Sequence, residues 1–163
     1  MTDDAHGLTK VAAGDGQHFA VAGATLTWKV RSSQSGGAFS FFEQTLEPGE
    51  GVPLHVHGYP EAFYVLSGSI IFSSGNDPEQ VEHCRTGDVI LASPGTKHSF
   101  YNPGPDQVRM LSISSGAHEI FFDAVEAADR AAPFGALPPD QAMTRVVAIG
   151  AQTGTHFSIP SNS

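Results

Sequence analysis

The sequence is poor in basic residues, in charge generally and in cysteine. Lys and Arg number 8 against 17 Asp and Glu, and the formal net charge is −9. Such a field repels a phosphate backbone. The basic residues are scattered along the chain and form no patch, so the composition argues against a nucleic-acid partner. Only 15% of residues are charged, too few for a disordered chain or a coiled coil. Cys84 is the single cysteine, which excludes a disulfide within the chain. No apolar run reaches the length of a membrane span, so no membrane partner is expected. The start, Met1-Thr2-Asp3-Asp4, lacks the basic-then-apolar order of a secretion signal, and a cytoplasmic protein is expected.

What is present is turn-forming residues and short apolar runs. The 163 residues include 18 Gly and 11 Pro. This length suits one domain, spanning 1–163, with a core large enough to need no staples. Residues 1–17 are polar and glycine-rich and read as a loose arm. Beyond them, runs rich in β-branched and aromatic residues cover 24–30, 38–46, 53–57, 61–66, 70–73, 81–84, 88–91, 98–102 and 108–114. Turn signals separate them, among them 31–37, Glu47-Pro48-Gly49, Gly58-Tyr59-Pro60, Ser67-Gly68-Ser69 and 75–78. Many short strands without helical periodicity between them predict an antiparallel, all-β sandwich or barrel with its core at about 24–115.

After Ser115 the pattern changes. Ile120, Phe121, Ala124, Val125 and Ala128 recur at helical spacing, and Pro133 stops the run. Pro139 and Asp140 begin a second helix carrying Met143, Val146 and Val147 on one side. A short helical tail at about 116–150 therefore follows the barrel, and its periodicity reads as packing rather than chemistry.

His55 and His57 lie two apart on a strand, so both rings leave one face. Glu61 follows a Gly-Tyr-Pro turn at the start of the next strand, from which an antiparallel neighbour returns its carboxylate to the imidazoles. His98 begins a later strand. Three imidazoles and one carboxylate suit a divalent first-row metal (Fe, Mn, Co, Ni, Cu or Zn) better than calcium or magnesium. Glu61 is also the candidate catalytic proton acceptor. His6, His18, His83, His118 and His156 lie outside this frame, in what read as loops or termini.

These residues stand in a pattern that resembles the cupin superfamily. The first cupin motif, G-x5-H-x-H-x3-E-x6-G, is met by Gly49, His55, His57, Glu61 and Gly68. The second, G-x5-P-x-G-x2-H-x3-N, is met by Gly87, Gly95, His98 and Asn102, with Ser93 in place of the motif's proline and Pro94 beside it. The resemblance implies a double-stranded β-helix, or jelly roll, holding one metal ion on His55, His57, Glu61 and His98. Gly49, Gly68 and Gly87 fall at turns, and Asn102 is expected to bond turn backbone.

Strand alternation extends the reading. With His55 and His57 inward, Pro53 is inward too, while Leu54 and Val56 face out. With Glu61 inward, so are Phe63 and Val65. Both strands are then apolar on both faces. An outer apolar face needs cover, so a homodimer is expected, with the N-terminal arm adding to a partner's edge. The pocket candidates are Phe63 and Phe100, which share the ligands' parity, and Met110. Phe39 or Phe41 competes with Phe42, of opposite parity, for the same space; Phe41 is taken as the candidate. Phe121 and Phe122 are placed to close the barrel mouth.

Small single-cupin chains of this pattern are often quercetinase-like. The resemblance therefore implies a metal-dependent dioxygenase acting on a small enolic or aromatic substrate, flavonol- or polyketide-like. Fold and ligands leave open a non-oxidative isomerase, decarboxylase, lyase or cyclase. They also leave open a non-catalytic cupin that binds a small ligand, although the chain has no room for the helix-turn-helix domain that regulatory cupins carry.

Overall fold

The computed structural model describes residues 7–21, 24–75, 77 and 79–158. His6 and part of the 75–78 turn lie outside them. Among the described residues, eleven strands run in order: β1 (Gln17–Val21), β2 (Ala24–Val30), β3 (Ser40–Leu46), β4 (Gly51–His57), β5 (Glu61–Ser67), β6 (Ser69–Ser74), β7 (Val81–Arg85), β8 (Val89–Ala92), β9 (His98–Tyr101), β10 (Val108–Ser114) and β11 (Thr155–Phe157). Helices α1 (Gly116–Ala131) and α2 (Pro139–Thr153) lie between β10 and β11. All strand pairings are antiparallel, in a six-stranded sheet β1-β2-β3-β10-β5-β8 and a five-stranded sheet β11-β4-β9-β6-β7. The jelly-roll expectation holds, with the helical tail after it.

Three features were not foreseen. Residues 17–21, directly after the stretch read as a loose arm and assigned to no strand, form β1 and pair with the chain's own β2. Consecutive strands β4 and β5 do not pair with each other; β4 pairs with β9 and β11, and β5 with β10 and β8. The two faces of the site therefore come from opposite sheets. The third feature is β11, a strand of three residues added to the edge of β4 after the helices.

Alternation builds the core. On β3 the buried residues are Ser40, Phe42, Gln44 and Leu46, every second residue. Ala24, Leu46, Phe63, Val65, Ile70, Phe72, Cys84, Phe100, Val108 and Met110 form one apolar cluster. Leu26, Trp28, Phe42, Phe121, Phe122, Val125 and Val146 form a second, between the six-stranded sheet and the helices. Helix α1 is pinned there by its polar side. Glu119 accepts hydrogen bonds from the Ser32 backbone N–H and, at 2.9 Å, the Ser32 hydroxyl. Arg31 pairs with Asp123 at 2.7 and 2.8 Å. Helix α2 opens on Pro139, whose missing N–H costs nothing at that position, and closes on Gly154 at φ 84°, the left-handed cap that glycine accepts best. No helix of the described residues is long and apolar enough to cross a membrane.

Candidate metal centre

Three strands from two sheets bring His55, His57, Glu61 and His98 together. One ligating atom from each lies within 4.8 Å of all the others, and all four residues are buried. His55 and His98 face each other across the β4–β9 pairing, with ring centroids 4.2 Å apart. Glu61 enters from the opposite sheet rather than from the strand beside β4. Its Oε2 lies 3.1 Å from His57 Nε2 and 3.4 Å from His98 Nε2.

The backbone sets how each ring presents itself. Nδ1–H of His55 donates to the Pro53 carbonyl at 2.8 Å, that of His57 to Tyr59 at 2.8 Å, and that of His98 to Thr96 at 3.0 Å. A carbonyl only accepts, so the proton of each neutral ring sits on Nδ1 and the Nε2 lone pair points inward. The Tyr59 ring stacks on His57 at 4.1 Å, and its hydroxyl is 3.2 Å from Thr155 Oγ1.

Burial disfavours the charge on Glu61, but the neighbouring His118, His57 and His98 outweigh it and hold the carboxyl well below its usual range. Ser112 donates a hydrogen bond to Glu61 Oε1. Burial, aided by His98, lowers His55 to about 4, which keeps it neutral. Inward lone pairs and a carboxylate within one small volume repel each other unless a cation lies among them. His98 Nε2 is sealed from solvent and has no hydrogen-bond partner. The donor set and this orphaned nitrogen fit a bound divalent metal.

A small cavity of about 50 Å³ opens from the cluster. Its walls include Leu26, Phe42, Val52, Phe100, Phe121, Phe122, Val146 and Phe157. Of the pocket candidates, Phe100 lines it. Phe63 and Met110 are buried in the barrel core and are not part of its wall. Phe41 is corrected: it sits on the outer face of β3, and Phe42, 2% exposed, takes the inner one. The Pro53 expectation is corrected as well. A register shift between Val52 and His55 breaks the parity of β4, so Val52 faces the cavity and Pro53 lies in a groove with Met143 and Val146.

Sequence reasoning missed His118 and underrated the tail. His118 is in the first turn of α1, not a loop, and is 6% exposed. Its Nε2 is 3.8 Å from Glu61 Oε1, and its ring meets Phe42, Tyr59 and Phe122. Burial lowers it to about 4. His18, His83 and His156 lie in strands rather than loops. His118, Phe121, Phe122, Val146, Thr155 and Phe157 all line the cavity, so the tail is part of the site. Asn102, fully buried, bonds the Leu46 and Asp106 carbonyls and the Gly104 N–H, as a turn brace does.

Residues 42–114 match the Cupin_2 family model, described as a cupin domain. The chain carries a cupin domain. Solved structures share the fold. The polyketide cyclase RemF from Streptomyces resistomycificus is 21% identical, with a TM-score of 0.61 over 67% of this chain and 80% of that one. A protein described as a predicted oxalate decarboxylase from Thermotoga maritima is 21% identical, with a TM-score of 0.60 over 66% and 98%. A cupin-like protein from the same organism is 18% identical, with a TM-score of 0.54 over 63% and 79%. No curated protein matches the sequence. At these identities the likeness is one of fold. The cupin domain places its four motif ligands together, and the helices and β11 that follow it complete the cavity wall.

Proposed function

We propose that this cupin is a metal-dependent enzyme of dioxygenase type that acts on a small enolic or aromatic substrate. The carrying observation is that three backbone-oriented Nε2 atoms and an ionised carboxylate converge at the end of an aromatic cavity. His55, His57, Glu61 and His98 hold the metal, which supplies Lewis acidity and an anchor for substrate oxygens. Phe42, Phe100 and Phe122 pack against the plane of the substrate and exclude water. Glu61, already ionised, is the group that accepts the enol proton, and Ser112 keeps its carboxylate oriented. Dioxygen is the oxidant.

A non-oxidative reaction in the same cavity is the second reading: an isomerisation, decarboxylation or cyclisation. The observation in its favour is that Glu61 and Ser112 form a proton-handling pair that requires no oxygen. A non-catalytic, ligand-binding role is the third. Elemental analysis of protein purified without added metal identifies the ion, which is expected at about one per chain. Oxygen uptake with flavonols and other enolic aromatics is then expected above the protein-free rate. Turnover under nitrogen assigns the second reading, and absence of turnover in both atmospheres assigns the third.

We also propose a homodimer in a cytoplasmic setting. The outer face of the six-stranded sheet sets Tyr64, Val89, Leu91 and Ile113 on neighbouring strands, exposed by 36–64%. A patch of this kind is where a second copy would seat.

A further inference from the structure

Gln44 is a buried polar side chain that the metal centre does not employ. It lies on the inward face of β3, two residues beyond Phe42, in register with Leu26 on β2 and Met110 on β10. It is 4% exposed and lines the cavity beside Ala24, Leu26, Val52 and Phe100. No described residue forms a hydrogen bond with its side-chain amide. The sealed, partnerless buried polar atoms are Trp28 Nε1 and His98 Nε2, so the Gln44 amide keeps its remaining accessible surface towards the cavity. A buried amide carries two donors and a carbonyl acceptor, and leaving them unmet is destabilising. Leucine or methionine would fill this apolar setting without that cost. The amide is therefore free to bond what enters the cavity.

Position tells which part of a ligand it meets. Ser112, which donates to Glu61, is in register with Phe42. Gln44 is one inward step further along β3, about 7 Å at strand spacing. That is close to the width of one six-membered ring beyond the ligand cluster.

We propose that the Gln44 amide is the distal anchor of the cavity. It binds a hydroxyl or carbonyl oxygen on the edge of a flat substrate whose enolic oxygens lie at His55, His57, Glu61 and His98. This deepens the proposed function and rests on it: the substrate class narrows to enolic rings with a further oxygen about one ring away from the enolic pair. The apolar walls favour the ring, and the two polar ends set its direction.

A matched pair of probes tests this. Allomaltol and kojic acid are enolic pyranones that differ by one hydroxyl, on the ring edge away from the chelating oxygens. Calorimetric titration into zinc-loaded protein measures binding without turnover. Wild type is expected to bind kojic acid about tenfold more tightly than allomaltol, as one neutral hydrogen bond allows. Gln44→Leu is expected to erase that preference by weakening kojic acid alone, and to raise the melting temperature. Gln44→Met, closer in length, is expected to do the same and guards against a packing fault in the leucine variant. A preference that survives both substitutions, or equal weakening of both probes, overturns the role of Gln44. Wild type that binds both probes equally also overturns it while leaving the enolic reading standing. Wild type that holds zinc and binds neither probe overturns the enolic reading and this inference with it.

Discussion

Phe157 on β11 pairs in register with His55 on β4, and their rings lie 5.4 Å apart. Thr155 pairs with His57 in the same way. The last strand of the described chain thus lies along the strand that carries two of the four ligands. Helix α2 delivers it there through a close approach. A Cβ added at Gly150 would stand 2.5 Å from the Thr155 carbonyl oxygen and 3.0 Å from the Phe157 ring. Gly150→Ala is expected to destabilise by about 1–3 kcal/mol despite the better helix propensity of alanine, because backbone must move. The melting temperature should fall by roughly 2–4 °C per kcal/mol. Gly135→Ala, with nothing within 4 Å, is the control and should stay within about 0.5 kcal/mol of wild type. Equal effects in the two variants would show that β11 is not held against α2.

Removing a ligand should remove the metal. His57→Ala deletes one donor and frees the Tyr59 ring that stacks on it. Metal content by elemental analysis is expected to fall from about one ion per chain to a small fraction. The metal-dependent rise in melting temperature should vanish with it, since bound metal stabilises only the form that binds it. His83→Ala, on an exposed position of β7, should retain the ion. Equal metal in wild type and His57→Ala contradicts the ligand assignment.

Acid should weaken the metal-free protein in two stages. His55 and His118 are each lowered from 6.5 to about 4, chiefly by burial. Between those values the unfolded chain binds protons that the folded chain refuses, so stability falls as pH drops from about 6.5 to 4. The loss is on the order of 3 kcal/mol for each group. Glu61, held below its ordinary 4.5, adds a further loss below that pH. Urea midpoints measured after chelation should decline as pH falls from about 6 to 4, whereas His98, raised above 6.5 by Glu61 against the effect of burial, adds an opposing gain as pH falls through its own titration. A midpoint independent of pH between about 5.5 and 4 would contradict the neutral, buried state of the two histidines.

A charge on the outer sheet face should separate the proposed dimer. Leu91 is 64% exposed beside Ala62 on the neighbouring strand. Leu91→Lys is expected to shift the mass measured by light scattering from dimer to monomer, with folding stability changed by no more than about 0.5 kcal/mol. Wild type that is already monomeric at the same concentration removes the dimer.

The amino-acid sequence by itself determined strands β2 to β10, the two helices and the identity of the four clustered side chains. Period-two and helical patterns, turn residues and the spacing of His55, His57, Glu61 and His98 are local properties, written wherever the chain is read. What the tertiary structure alone decided is non-local. It set β4 and β5 in opposite sheets, so that Glu61 reaches the histidines across the barrel. It also turned Phe42 rather than Phe41 inward, because pairing with β2 and β10 chooses the parity of β3. The β4 register shift that brings in Val52 arises from pairing with β9 and leaves no mark in the residues themselves. His118 and Gln44 belong to the site for the same reason: a helix pinned by Glu119 and Arg31, and a strand face chosen by its neighbours, carry them to a cavity whose other walls lie far away in sequence.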